Sequence, residues 1–233
     1  MPARAPRRAT LVLAVVAVAS TALVIGVVAA AVSMLTAQAA PVQGQKAVTS
    51  EDRTTTPFRQ ISVAVGMKVI VGTGSQTSVT LEAPPNLLPL ITTEVQGDRL
   101  VVEAASPGVT STVPITLTIQ MPELDAITLG EGAAATVEDM GGPLAVDVSA
   151  GATILAIGGV ESLAVTTSGG AVAKLGDLPA GSAVVTLTGG SSAELHVTGA
   201  VTGTADAGST LVLTQKPGSV DVKTTGGATV QGG

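Results

Sequence analysis

The sequence predicts an all-β fold: a single-stranded, parallel β-helix-like solenoid with coils of about 19 residues, preceded by an N-terminal signal or transmembrane helix. Three observations carry this reading. Gly132, Gly151, Gly170, Gly190, Gly208 and Gly227 recur at spacings of 19, 19, 20, 18 and 19 residues, in settings such as Ala150-Gly151-Ala152 and Gly226-Gly227-Ala228. Around each glycine, apolar and polar residues alternate with the period of a strand that has one face in and one face out. The 233 residues include 28 Gly and one Phe but no Trp, Tyr or Cys, so the 45% hydrophobic content is almost wholly aliphatic. A core without aromatics must be thin, with its walls close together.

Residues 1–39 open with Arg4, Arg7 and Arg8, followed by Leu11–Val32, which holds neither charge nor proline. As a helix this run spans roughly 33 Å, enough to cross a bilayer core. The arginines ahead of it keep the N-terminus cytoplasmic. Ala37-Gln38-Ala39 offers an Ala-x-Ala cleavage site, so a signal peptide cleaved after Ala39 is the alternative. The run exceeds the usual h-region of about 7–15 residues, which favours an uncleaved anchor. Under either reading the chain is exported, membrane-anchored with its C-terminal domain outside or else secreted. Residues 40–57 are polar and mixed in charge, without hydrophobic periodicity, and read as a flexible linker.

From Phe58 the pattern turns to period two, through Ile61 and Val63, Val69 and Val71, Val79 and Leu81, Leu100 and Val102, and Ile115, Leu117 and Ile119. Gly72, Gly74, Pro84-Pro85, Gly97-Asp98 and Pro107-Gly108 punctuate these runs, which read as short strands. Asn86–Leu90 is the one place for a short helical turn. Residues 58–126 are therefore expected to form the first coils of the solenoid or a cap on it.

Within 127–231 the six glycines set a register. Odd offsets are apolar or small: Ile127, Val146, Val165, Val185, Gly203 and Val222 lie five before the glycine, and Ala133, Ala152, Ala171, Ser191, Ser209 and Ala228 one after. Even offsets are polar: Thr128, Asp147, Thr166, Thr186, Thr204 and Lys223 lie four before, and Gly130, Ser149, Ser168, Thr188, Asp206 and Thr225 two before. The odd set should face the core and the even set water. The Ala/Ser column marks a corner too tight for a larger side chain. At about 4.8 Å per coil, six coils span roughly 29 Å.

Over residues 58–231 the chain resembles the putative auto-transporter adhesin, head GIN domain family. The motifs are Phe58-x-x-Ile61-x-Val63 leading to Gly66-Met67-Lys68-Val69, then Gly97-Asp98-Arg99-Leu100-Val101-Val102, Met121-Pro122-Glu123-Leu124-Asp125-Ala126-Ile127, Thr167-Ser168-Gly169-Gly170-Ala171 and Thr225-Gly226-Gly227-Ala228. Met67 and Lys68 stand where the family usually shows Ile and Asn, so the naming motif keeps only its glycine. The resemblance implies a β-solenoid on an exported or surface-anchored protein with an adhesive role. It brings no catalytic residues.

Candidate chemistry is sparse. His196 is the only histidine, at an even offset beside Glu194, and is expected to be a solvent-exposed surface residue. Nothing nearby prepares it for Ser-His-Asp catalysis or metal binding. Between Arg99 and Lys174 no basic residue occurs, while Glu103, Glu123, Asp125, Glu131, Glu138, Asp139, Asp147 and Glu161 do. That acidic stretch, 103–161, could attract calcium weakly, but the acids scatter over different offsets and read as a solvated face. A polysaccharide-lyase-like enzyme would need clustered carboxylates beside an Arg or Lys base, and no arginine follows Arg99. Without Arg4, Arg7 and Arg8 the balance is 8 basic against 17 acidic residues, which argues against nucleic acid as a partner.

The most regular exposed feature is the hydroxyl surface of Thr166, Ser168, Thr186, Thr188 and Thr204. Thr suits an exposed strand for its β-propensity alone. If the protein binds something, this face is the place. The expected function is a non-enzymatic, extracytoplasmic adhesin-like module taking a glycan or protein ligand at the cell surface, with no cofactor. The alternative is an envelope structural or sensory ectodomain.

Overall fold

The structure is a computed structural model that describes residues 40–105 and 108–232. The helix expected over residues 1–39 lies outside the described residues. No helix among those described is long and apolar enough to cross a membrane. What is described is all-β, with a single 3-10 turn at Leu88–Leu90, inside the segment where the sequence leaves room for one.

In chain order the strands are β1 (Val42–Gln43), β2 (Thr49–Asp52), β3 (Gln60–Ala64), β4 (Lys68–Thr73), β5 (Ser78–Ala83), β6 (Ile91–Gln96), β7 (Arg99–Ala104), β8 (Val109–Thr110) and β9 (Thr116–Met121). The glycine-marked coils follow as β10 (Ala126–Leu129), β11 (Ala134–Met140), β12 (Pro143–Val148), β13 (Thr153–Gly158), β14 (Val160–Thr167), β15 (Val172–Leu187), β16 (Ser192–Val197), β17 (Ala200–Ala205), β18 (Thr210–Leu213), β19 (Ser219–Thr224) and β20 (Thr229–Gly232).

Each coil gives one strand to each of two sheets. The first sheet runs β6-β7-β3-β10-β12-β14-β15-β17-β19. The second runs β2-β5-β9-β4-β11-β13-β15-β16-β18-β20, so the long β15 turns from the second sheet into the first. Inside the repeats every pairing is parallel, and apart from slips after Glu138, Leu155 and Leu175 on the second sheet it joins residues of equal offset: Ile127 to Val146, Val146 to Val165, Val165 to Val185, and Val185 to Gly203. The first four of these residues are at most 2% exposed. Gly203 keeps the column because a Cβ there would collide with the Val185 carbonyl. One hydrophobic cluster, aliphatic but for Phe58 and two methionines, fills the space between the sheets from Phe58 to Leu213.

The corners explain the period. At the six glycines the amide three residues on returns a hydrogen bond to the carbonyl two before the glycine, as from Ala152 to Ser149 at 3.0 Å and from Ala171 to Ser168 at 3.2 Å. Both central residues have positive φ, 50° and 72° at Ala150-Gly151 and 59° and 74° at Gly169-Gly170. Positive φ at both central positions with an i to i+3 bond is the type I′ pattern. Space does not demand the glycines, since a Cβ added at Gly151 or Gly170 would meet nothing within 4 Å. The backbone angle demands them. The corners also stack: Gly132 donates to Ala150, Gly151 to Gly169, Gly170 to Gly189, Gly190 to Ala207 and Gly208 to Gly226, all between 2.9 and 3.1 Å. Beside them the Ala/Ser column is buried from Ala133 to Ser209, and its last member, Ala228, is half-buried. The column's two hydroxyls are satisfied by backbone: Ser191 Oγ donates to the Thr167 carbonyl at 3.1 Å and Ser209 Oγ to that of Leu187 at 3.2 Å.

The first half supplies both coils and cap, out of chain order. The coil β3–β4 sits between β7–β9, which follows it in sequence, and β10–β11. Outside β7 and β9 lie β6 and β5, both antiparallel, and they close that end over Leu87 and Leu88. The linker reading of residues 40–57 needs correction. β2 pairs antiparallel with β5, β1 pairs parallel with β8, and Arg53 Nη2 donates to the Leu88 carbonyl at 2.8 Å. All four residues of β2 are exposed, so main-chain bonding rather than a hydrophobic pattern holds it.

Two outcomes check the corner. Ala150→Gly relieves a left-handed alanine and should raise unfolding free energy by about 0.5–1 kcal/mol, whereas Gly170→Ala should lower it by about 1 kcal/mol or more, both read by urea denaturation. Thr167 Oγ1 and Ser191 Oγ are both buried and 2.8 Å apart. Ser191→Ala strands the Thr167 hydroxyl and should cost about 1–3 kcal/mol. Thr167→Val combined with Ser191→Ala should cost less than that single change.

Candidate binding face

The outer surface of the first sheet is built from two neighbouring columns. Strand pairing aligns Thr128, Asp147, Thr166, Thr186, Thr204 and Lys223 in a straight line. Successive members are about 4.8 Å apart, the spacing of paired strands. Thr166, Thr186 and Thr204 are exposed. The column beside it is small and apolar, Ala126, Ala145, Ala164 and Val184, giving way to Thr202. Val184 is 57% exposed, the most open large hydrophobic among the described residues. A shallow concavity of about 420 Å³ lies over Ala145, Ala164, Val184, Ser162 and Ser182.

The five expected hydroxyl residues separate into two settings. Thr166, Thr186 and Thr204 share the flat ladder. Ser168 and Thr188 are half-buried at the rim, where their carbonyls accept the corner hydrogen bonds from Ala171 and Ser191. The apolar stripe beside the ladder was not singled out by periodicity, because Ala145, Ala164 and Val184 occupy outward offsets that polar residues fill elsewhere.

His196 lies on the other sheet and is half-buried rather than solvent-exposed. The register slips between Leu175 and Pro179, and Pro179 comes to stand beside His196. Glu194 is exposed next to it. Among the described residues no group of three His, Asp or Glu side chains converges as a metal site would require.

The acidic stretch is less bare than its sequence. Arg59 donates to Glu123 at 2.7 Å and to Asp125 at 2.8 Å. The hydrogen bond to Asp125, then that to Glu123, holds the guanidinium more firmly protonated than its ordinary value. Pairing of β3 with β10 brings these residues together across more than sixty positions of chain. The three side chains remain exposed, so the cluster orients the β10 end more than it stabilises the fold.

The three ladder threonines carry their side chains outside the core. Thr166→Val, Thr186→Val and Thr204→Val keep the branched shape and should each shift unfolding free energy by less than about 0.5 kcal/mol in urea denaturation.

The family model described as "Putative auto-transporter adhesin, head GIN domain" matches residues 57–217. Solved structures share the fold. A putative adhesin from Bacteroides fragilis NCTC 9343 aligns with TM-score 0.63 at 15% identity, over 82% of this chain and 99% of that one. A putative adhesin from Parabacteroides merdae ATCC 43184 aligns at 0.51 and 14%, over 84% and 100%. A putative lipid binding protein from Parabacteroides distasonis ATCC 8503 aligns at 0.50 and 12%, over 83% and 100%. At these identities the likeness is one of fold. No curated protein matches the chain.

Proposed function

The chain belongs to the putative auto-transporter adhesin, head GIN domain family, and on that premise we propose that it is a non-enzymatic, extracytoplasmic binding module acting through the outer face of its first sheet. The observation that carries the proposal is the ladder of Thr166, Thr186 and Thr204 running beside the open stripe of Ala145, Ala164 and Val184. Evenly spaced hydroxyls donate and accept, and small apolar side chains let a ligand lie close against the sheet. Such a surface suits an extended ligand, a glycan chain or a protein strand, rather than a small molecule that needs enclosure.

Export belongs to the same proposal. It rests on Arg4, Arg7 and Arg8 ahead of the apolar run Leu11–Val32, which would hold the module at the membrane if it is not cleaved after Ala39. N-terminal sequencing of the native protein decides between anchor and cleaved signal peptide.

Binding is tested by screening the protein against glycan arrays, matrix proteins and whole cells. At least one surface should be bound, and Thr186→Lys should abolish that binding while leaving the melting temperature unchanged. Absence of binding to every surface, with an envelope-stress phenotype on deletion, would overturn the adhesive reading in favour of a structural or sensory ectodomain.

A further inference from the structure

We propose that the outer edge of the last coil docks a second copy of this chain, through β19 paired antiparallel about a twofold axis at Val222. The two ends of the solenoid differ. One is closed by the antiparallel strands β5 and β6 with β2 beyond them, whereas β19 and β20 have no neighbour on their outer side among the described residues. Their inward side chains are correspondingly uncovered. Val220 is 47% exposed while Val201, its counterpart one coil back, is fully buried. Val222 and Val230 are half-buried, while Leu211, the counterpart of Val230, is fully buried.

The edge is self-complementary. The amides of Ser219 and Thr225 point back to β17, donating to Gly199 and Ala205. Alternate residues of a strand point opposite ways, so Val220, Val222 and Thr224 present their N–H and C=O groups to the open side. A twofold axis at Val222 sets Val222 against its own copy and Val220 against Thr224, with main-chain bonds exchanged in both directions and the valines meeting as a continuation of the core. The same register places Asp221 opposite Lys223 of the second copy, twice over, on the outward face. Registers centred on Asp221 or Lys223 would instead set like charges against each other, which strand pairing disfavours. Because the axis is perpendicular to the sheets, β20 is turned antiparallel to its own mate as well, and both sheets continue across the junction.

Pairing joins two solenoids with their capped ends pointing apart.

Sedimentation equilibrium of the full chain in density-matched detergent tests it. The wild type should be a dimer. Asp221→Lys alone and Lys223→Asp alone should each self-associate about tenfold more weakly, with unchanged circular dichroism. The double exchange Asp221→Lys with Lys223→Asp should dimerise like the wild type, and an equimolar mixture of the two single variants should form the mixed dimer. Association through residues 1–39 would be indifferent to all of these charges. A monomeric wild type, a double exchange no stronger than the single changes, or a mixture that fails to associate would each overturn the proposal.

Discussion

The whole coil depends on one constraint, a two-residue reversal in which both residues are left-handed. Glu131-Gly132, Ala150-Gly151, Gly169-Gly170, Gly189-Gly190, Ala207-Gly208 and Gly226-Gly227 all adopt it. In a hairpin such a turn folds a strand back beside itself. Here it passes the chain from one sheet to the other, and the amide of the second residue bonds to the next coil instead. The corner therefore serves as both turn and ladder rung. Glycine is invariable at the second position of these turns, while the first accepts Glu131, Ala150 and Ala207 at a cost of about 1 kcal/mol each.

A tight corner brings the two sheets close, and that sets the composition. The side chains next to the turn can be no larger than alanine or serine. Where serine is used, its hydroxyl is answered by a carbonyl of the neighbouring coil, since an unmet buried hydroxyl would cost more than the methyl it replaces. Further from the corner, valine, leucine and isoleucine fill a gap too narrow for aromatic rings. Phe58, the sole aromatic, is buried near the start of the domain, outside the repeats.

Thin walls also mean that nearly every residue is either core or surface. Among the described residues no metal-type cluster of acidic or histidine side chains converges, and the concavity beside the Thr ladder is shallow. Regularity is displayed on the outer columns, where strand pairing turns a periodic sequence into straight lines of like residues. The Thr ladder and its alanine stripe are one such pair of lines, and β19, unpaired on its outer side among the described residues, belongs to the same lattice.

The coil, its register and its inward and outward columns were legible in the sequence, because each rests on local rules: positive φ selects glycine, and strands alternate with period two. The outward position of Thr166, Thr186 and Thr204 followed from the same rule. Other features were settled by contacts between residues far apart in the chain. Only pairing placed β3–β4 between β7–β9 and β10–β11, since strands that obey the same alternation carry no label for the order in which they stack. Main-chain pairing, with Thr80 donating to Asp52 and Thr110 to Gln43, made strands of Val42–Gln43 and Thr49–Asp52, whose side chains show no pattern to read. Arg59 met Glu123 and Asp125, and His196 came to lie half-buried beside Pro179, for the same reason. Periodicity by itself determined what a coil of this protein is; the tertiary structure decided which coils are neighbours and which strands cap them, because stacking energy depends on partners that the local sequence does not name.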